Sequence, residues 1–244
     1  ETGRSTPQVN ADNRVINWVI AQPAGGASSI NAGAWVRLTP QVLSDWEAVA
    51  GPEWSVSTLL QAYKDMEDYD GKTANKHARG SHGPLKITQD PPPSSLSKKF
   101  AQATIQATGI PFQSDYNNPM TPLSVSTQIQ SAHKGHNGFY RISSVNAFLD
   151  DIMKSNGKGK NGANLRVNFN STALRVIWNG QTAVGVEYLQ NGKIKSAYAN
   201  KAVIVCAGLR SSPFLMHSGI GSSSLLNSFN IPVIYDNPNV GQGL

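Results

Sequence analysis

The sequence of 244 residues is poor in cysteine, in charge and in long apolar runs. Its single cysteine, Cys206, excludes an internal disulfide framework. Charged residues make up 15% and the basic ones are scattered, so we predict no nucleic-acid partner despite a formal net charge of +6. No apolar run reaches about 18 residues, which predicts no membrane span. No signal peptide is visible, and the location stays open, secretion included.

The composition favours a globular, loop-rich chain. Hydrophobic residues make up 39%, with five tryptophans, and glycine and proline number 22 and 14. Local signals predict four helices. The first has Thr39 as its N-cap and Pro40 at its first position and ends near Ala50, and the second is capped by Ser55 or Ser57 and ends near Met66. The other two cover 96–108 and 143–153. Residues 1–13 show no periodicity and are predicted to be a loose lead-in.

The last third of the chain changes to β-prone runs. They cover 165–169, 173–178, 183–190, 193–199 and 202–206, with hairpin signals at Asn179-Gly180 and Asn191-Gly192. The final run does not alternate, which predicts a strand buried on both faces in a parallel sheet, with Cys206 buried in it. Helices and such a strand together indicate an α/β fold.

A run of small residues stands near the start, Gly25-Gly26-Ala27-Ser28-Ser29-Ile30-Asn31, and continues through Ala32, Gly33 and Ala34 to Trp35 and Arg37. Residues without bulk let backbone N–H groups approach a phosphate or a flat ring, and Ser28 and Asn31 add side-chain hydrogen bonds. A glycine-rich turn packed between helices is the alternative interpretation of this segment.

A second pattern runs from Val203 to Gly208, through Ser211-Ser212-Pro213, to Ser218-Gly219-Ile220-Gly221. It is typical of a strand, a tight Ala-Gly turn and a helix start. Both patterns resemble signatures of the glucose-methanol-choline (GMC) family of FAD-dependent oxidoreductases. Further matches keep the family's order: Asp45-Trp46, Gly51 with Trp54-Ser55, Tyr63 to Glu67, His82 to Leu85, Arg141 with Ser143, and Val240 to Gly243.

The resemblance implies part of a Rossmann-like FAD-binding domain with an inserted substrate domain. It places residues 14–85 and 158–244 on the FAD side and 86–157 on the substrate side. It implies hydride transfer from the CH–OH group of a small-molecule alcohol to the flavin, with O₂ or another electron acceptor. The residues expected to contact FAD are Gly25, Gly26, Ser28, Asn31, Ala32, Gly33, Ala34, Ala173 through its backbone, Ala207 and Gly208.

Two features of the family have no counterpart here, the Gly-x-Gly-x-x-Gly fingerprint and the catalytic histidine. We therefore assign no catalytic residue and expect little turnover from these 244 residues alone. Two alternatives stay open: an FAD-containing lyase on the same scaffold, and a non-catalytic protein that uses the fold as a shell.

The histidines and the acidic cluster are not predicted to form a metal or catalytic site. The five histidines lack carboxylate or cysteine partners at ligand spacing, so no metal site is predicted. Asp65, Glu67, Asp68 and Asp70 could be grouped for acid–base work or Ca²⁺, but no Gly-centred calcium loop follows them. They are predicted to be a solvated helix end.

Overall fold

The fold is given by a computed structural model, which describes residues 2–73, 75–89, 94–120, 123–128, 130–134, 140–154 and 164–243. The chain divides into two compact units, Glu1–Leu165 and Arg166–Leu244. Helices and sheets occur in both, and the predicted mixture of α and β elements is confirmed. The predicted division into cofactor and substrate segments stays a prediction.

The helices of the first unit begin and end where local chemistry dictates. Helix α1 (Pro40–Ala50) has Thr39 as its N-cap, with a side chain that accepts from the Val42 N–H. Helix α2 (Val56–Met66) is capped by Ser55, so of the two predicted caps, Ser55 and Ser57, the first is the one in the structure. Helix α3 (Ser95–Thr108) ends at Gly109 with φ +70°, the left-handed conformation of a C-terminal glycine.

Short strands complete the first unit. Their bounds are β1 Thr2–Arg4, β2 Asn17–Val19, β3 Glu67–Tyr69, β4 Leu85–Gln89, β5 Gln130–Ser131, β6 His133–Lys134 and β7 Tyr140–Arg141. The parallel pair β3 and β4 is extended by β5, which is antiparallel to β4. Two further antiparallel pairs are β1 with β2 and β6 with β7.

The core of this unit forms on the β3–β4 pair. Alternation puts Tyr69 of β3 and Leu85 and Ile87 of β4 on one buried face. Partly buried hydrophobic side chains pack against them: Trp35, Ala132, Ile142 and Ala147. The segment after the glycine-rich turn is thereby tied to the core, because Trp35 N–H also donates to Gln130 O at 2.7 Å.

The second unit is built on an antiparallel meander of β8 (Ser171–Asn179), β9 (Thr182–Gln190) and β10 (Lys193–Tyr198). Both predicted hairpins are confirmed, and Asn191 and Gly192 have φ +52° and +72°, as a tight primed turn requires. Helix α6 (Ser211–His217) contacts β8. The remaining elements are α7 (Ser223–Ser228) and the parallel strands β11 (Ile220–Gly221) and β12 (Tyr235–Asp236).

The run 202–206 is not a strand, and the prediction of a doubly buried one is wrong. Ile204 is 83% exposed and Cys206 is also exposed. A parallel strand requires a hydrogen-bonded neighbour, and no described residue pairs with this run. Its apolar composition therefore has no sheet to join among the described residues. Residues 165–169 also lack strand structure.

Two other predictions differ from the structure. The helix predicted over 143–153 is two short helices, α4 (Ser144–Phe148) and α5 (Asp150–Lys154), which meet at Leu149. Within the lead-in, β1 pairs with β2, so backbone hydrogen bonds to a distant segment create a strand where the local sequence shows no period.

Candidate functional site

The glycine-rich turn is built around a short 3₁₀ helix, Gly26–Ser29. Gly25 precedes it with φ +90°, and a Cβ there would lie 2.6 Å from Ser29 Oγ and 3.2 Å from Ser143 Oγ. Position 25 thus requires glycine because the turn packs against these serines. A Cβ at Gly26 would meet no atom within 4 Å. Protein packing therefore accounts for Gly25, and Gly26 leaves an open face.

Arg141 of β7 holds this turn in place. Its Nη1 donates to Ser28 O at 3.0 Å and to Asn31 Oδ1 at 2.7 Å, and its Nη2 donates to Asn31 O at 2.5 Å. The Asn31 Oδ1 also accepts from Gly33 N–H at 2.9 Å. Arg141 belongs to one of the sequence motifs, but no role was predicted for it. In the structure it fixes the shape of the turn.

Ser28 is also engaged by the protein. Its hydroxyl donates to Gly25 O at 2.5 Å and accepts from the Ser144 N–H at 2.9 Å. The side-chain oxygens of Ser28 and Asn31 therefore serve first to organise the turn. The contacts of both residues with FAD stay predictions.

A cavity of about 410 Å³ opens beside the turn, and Asn31, Gly33, Ala34 and Arg141 are among the residues that line it. Gly33 is buried, whereas Ala32 and Ala34 are exposed. The small residues leave main chain accessible, and the Arg141 guanidinium adds a positive charge at the cavity wall. These features fit an anionic, flat dinucleotide such as FAD.

The second predicted site segment lies in the other unit. Ala207 is exposed and precedes a 3₁₀ helix at Gly208–Arg210, and its N–H donates to Ser211 Oγ at 3.0 Å. Gly208 has φ +58°, and a Cβ there would meet no atom within 4 Å. As at Gly26, the protein leaves open space at this glycine, which fits close approach of a ligand.

The Ser-Gly-Ile-Gly part of this motif has a packing role. The buried Ser218 hydroxyl accepts from the Val176 N–H at 2.9 Å, and Ser218 O accepts from Trp178 Nε1 at 2.7 Å. A Cβ at Gly219 would lie 2.6 Å from Pro232 O. These contacts join the end of α6 to β8.

Ala173, the predicted backbone contact of the adenine, lies exposed in β8 opposite Tyr188. The ladder shifts register between Ala173 and Arg175, so Leu174 has no partner residue in β9. Such an irregularity leaves backbone groups outside the ladder, where a ligand can reach them. The assignment to Ala173 stays a prediction.

A buried ionic network lies in the first unit. Glu67 accepts from Arg37 Nη2, and Arg79 Nε lies 3.1 Å from the same carboxylate oxygen, Oε1. Arg79 Nη1 lies 3.5 Å from Asp115 Oδ1. The four side chains are at most 3% exposed. Burial lowers the pKa of Arg37 below its ordinary value, an effect that the charge of Glu67 opposes.

The interpretation of Glu67 as part of a solvated helix end is therefore wrong. Helix α2 ends at Met66, and Glu67 begins β3 with its side chain in the interior. Asp68 pairs with Lys86, while Asp65 and Asp70 are exposed. The alternation of Glu67 and Tyr69 with period two was the available sequence signal.

No catalytic or metal centre emerges in the part of the chain that the structure describes. His77, His82 and His217 are exposed, the side chain of His133 is not described, and His136 lies outside the described residues. Across the described ranges, no three His, Cys, Asp or Glu residues are grouped to hold a metal ion. None of the described helices is long and apolar enough to cross a membrane.

Comparison with known sequences places these features in context. A family model described as GMC oxidoreductase matches residues 2–244. A GMC-type oxidoreductase of Mycobacterium bovis is 34% identical over 98% of this chain and 43% of its own length. Mitochondrial choline dehydrogenase of Mus musculus is 31% identical over 98% of this chain and 38% of its own length. The chain thus spans about two fifths of these relatives.

A solved structure agrees with the sequence comparison. An FAD-dependent oxidoreductase from Chaetomium thermophilum has a TM-score of 0.83 and 26% identity. The match covers 97% of this chain and 41% of that one. The likeness supports the predicted Rossmann-like FAD-binding fold.

Proposed function

Because this chain belongs to the GMC oxidoreductase family, we propose that the protein oxidises the CH–OH group of a small-molecule alcohol, with FAD as the hydride acceptor. The family match over residues 2–244 carries this proposal. Similarity to choline dehydrogenase, at 31% identity, and to an alcohol dehydrogenase [acceptor] of Pseudomonas putida, at 26%, supports an alcohol as substrate.

FAD supplies a flavin ring that takes up two electrons as hydride. In this chain, the turn at residues 25–34, the backbone at Ala173, and the Ala207-Gly208 turn are the groups that would hold it. Arg141 keeps the first turn in shape through its bonds to Ser28 and Asn31. Its positive charge favours the anionic phosphates of a dinucleotide.

The open faces at Gly26 and Gly208 let main chain approach a ligand without displacing protein atoms. Contacts of this kind orient a cofactor and keep water away from it. The base that removes the hydroxyl proton is not assigned to any of the 244 residues. For the acceptor that reoxidises the cofactor, we propose O₂ or another electron acceptor.

Flavin absorbance provides the test. The full-length protein is purified, its bound nucleotide is identified by mass spectrometry, and it is mixed without oxygen with a panel of alcohols including choline. We expect at least one alcohol to bleach the visible flavin absorbance, and an added electron acceptor to restore it.

The same experiment separates the alternatives. Cleavage of a substrate without bleaching would indicate a lyase, for which the relatives named above give no support. A purified protein without FAD would indicate a non-catalytic shell. Either result would contradict the proposed oxidation.

A further inference from the structure

A second cavity, of about 460 Å³, lies in the first unit beside the buried arginines. It is lined by the loop 70–73 together with Tyr69, Lys76, Arg79, Gly80 and Ser81. None of the residues predicted to contact FAD lines it. The cavity is therefore a separate place in which a ligand could bind.

Arg79 contributes a buried donor to this cavity. Its side chain is 3% exposed, and its guanidinium carbon lies 3.8 Å from the centre of the Tyr69 ring. Its Nε lies 3.1 Å from Glu67 Oε1 and its Nη1 lies 3.5 Å from Asp115 Oδ1, but neither Nε nor Nη2 has a hydrogen-bond partner among the described residues. A buried N–H without an acceptor is costly, so a ligand oxygen within reach of Nη2 would be stabilised by it.

The charge of the cavity favours an anion as that acceptor. The network of two arginines, Glu67 and Asp115 is neutral by formal charge, so it does not cancel the lysines. Lys72 and Lys76 add two positive charges at the cavity wall, against one negative charge from Asp70. Thr73 and Ser81 also lie in the lining.

The loop that carries Lys72 is fixed in place. The Lys72 N–H donates to Gln89 Oε1 at 3.0 Å, and Lys72 O accepts from the Tyr69 hydroxyl at 3.1 Å. Burial raises the pKa of Tyr69, so its hydroxyl keeps the proton that it donates. A Cβ at Gly71 would collide with the Tyr69 ring, so the close approach of this loop requires glycine. A loop held in this way loses little freedom when a ligand binds.

We propose that this cavity binds a phosphate group, either as the free ion or as part of a larger molecule. Arg79 Nη2 donates to one oxygen, and the ammonium groups of Lys72 and Lys76 neutralise the dianion. A phosphate is favoured because its several oxygens accept from a guanidinium and two ammonium groups at once.

The test titrates inorganic phosphate into the cofactor-loaded full-length protein by calorimetry, with ionic strength held constant by chloride. We expect saturable binding to one site. The double variant Lys72→Met with Lys76→Met removes both positive charges and keeps the apolar stems. Its affinity for phosphate should fall at least about tenfold, while its flavin content stays unchanged. The matched control is Lys98→Met with Lys99→Met, two exposed lysines of α3, which should bind phosphate as the unmodified protein does.

Three results would overturn the proposal. The first is that phosphate shows no saturable binding, and the second is that both double-lysine variants lose the same amount of phosphate affinity. The third is that the Lys72 and Lys76 variant loses flavin together with phosphate affinity. The last would assign these charges to the phosphates of the cofactor. A parallel titration with methyl phosphate distinguishes the two sources. Tighter binding of inorganic phosphate indicates the free ion, and tighter binding of the ester indicates a phosphate carried by a larger molecule.

Discussion

Glu67 is the residue on which the interior of the first unit is organised. Its carboxylate accepts from Arg37 Nη2, from Trp35 Nε1 at 3.0 Å and from the Gly80 N–H at 2.9 Å, and its side chain is fully buried. A buried carboxylate is tolerated because these donors replace water. The same contacts connect three parts of the chain: the segment after the glycine-rich turn, β3, and the loop at Gly80.

Glu67→Gln should destabilise the protein strongly. It keeps the shape but removes one of the two negative charges that compensate Arg37 and Arg79, and we expect a loss of about 3–5 kcal/mol in the free energy of unfolding. Urea denaturation followed by tryptophan fluorescence measures it.

The matched control for this variant is Glu187→Gln. Its partner Arg175 lies 2.9 Å away with a side chain that is 61% exposed, so solvent screening should limit the change to about 0–1 kcal/mol. Similar losses in the two variants would refute the structural role given to Glu67.

Specific hydrogen bonds attach the glycine-rich turn to other elements of the first unit. The glycine-rich turn has little apolar area of its own, and its attachment to β7 depends on the three hydrogen bonds from Arg141. Ser143 and Ser144, at the start of α4, support the turn from the same side. The turn is thus shaped by a segment more than 100 residues later, with separations of 110 and 113 residues in these bonds.

Arg141→Met should weaken FAD binding while the protein stays folded. The methionine fills part of the volume but cannot hold Ser28 and Asn31, so the turn loses its shape. Each lost charged hydrogen bond contributes about 1.5–3 kcal/mol, which predicts a rise of at least tenfold in the dissociation constant of FAD. Fluorescence titration of the apoprotein with FAD provides the measurement.

The corresponding control is Arg166→Met, at an exposed arginine of the second unit. It makes the same change of charge and should leave FAD affinity unaltered. Equal affinity in the Arg141 variant and the control would exclude a part for the turn in cofactor binding.

For the whole molecule, residues expected to contact FAD are present in both compact units. Gly208 of the second unit and Gly26 of the first share positive φ and open space at the position of a Cβ. Neither glycine is required by packing inside the protein. This open space is compatible with the predicted contacts of Gly26 and Gly208 with the cofactor.

Gly208→Ala should lower the ratio of bound flavin to protein, because a methyl group would occupy the open space at which contact with the cofactor is predicted. Gly180→Ala is a close control, since Gly180 has φ +60° against +58° at Gly208 and also has no atom within 4 Å of a Cβ. Both changes incur the same backbone strain, about 1–2 kcal/mol. The ratio of flavin to protein absorbance, measured at equal folded fraction, should fall only in the Gly208 variant. An equal ratio in both would remove Gly208 from the predicted site.

Local chemistry by itself determined much of this protein. The caps Thr39 and Ser55, the stop at Gly109, and the hairpin at Asn191-Gly192 are short-range features, so they could be predicted from neighbouring residues. The small-residue motifs and their order resemble those of the GMC family closely enough that the resemblance predicted the family, which the family model confirms.

Tertiary structure decided what depends on distant partners. Glu67 is buried because Arg37 and Arg79 come to it from segments 30 and 12 residues away, whereas its acidic neighbours suggested solvent. The apolar run 202–206 has strand composition without strand structure, since a strand exists only when another pairs with it. Side-chain chemistry is local, but burial and pairing are properties of the folded chain.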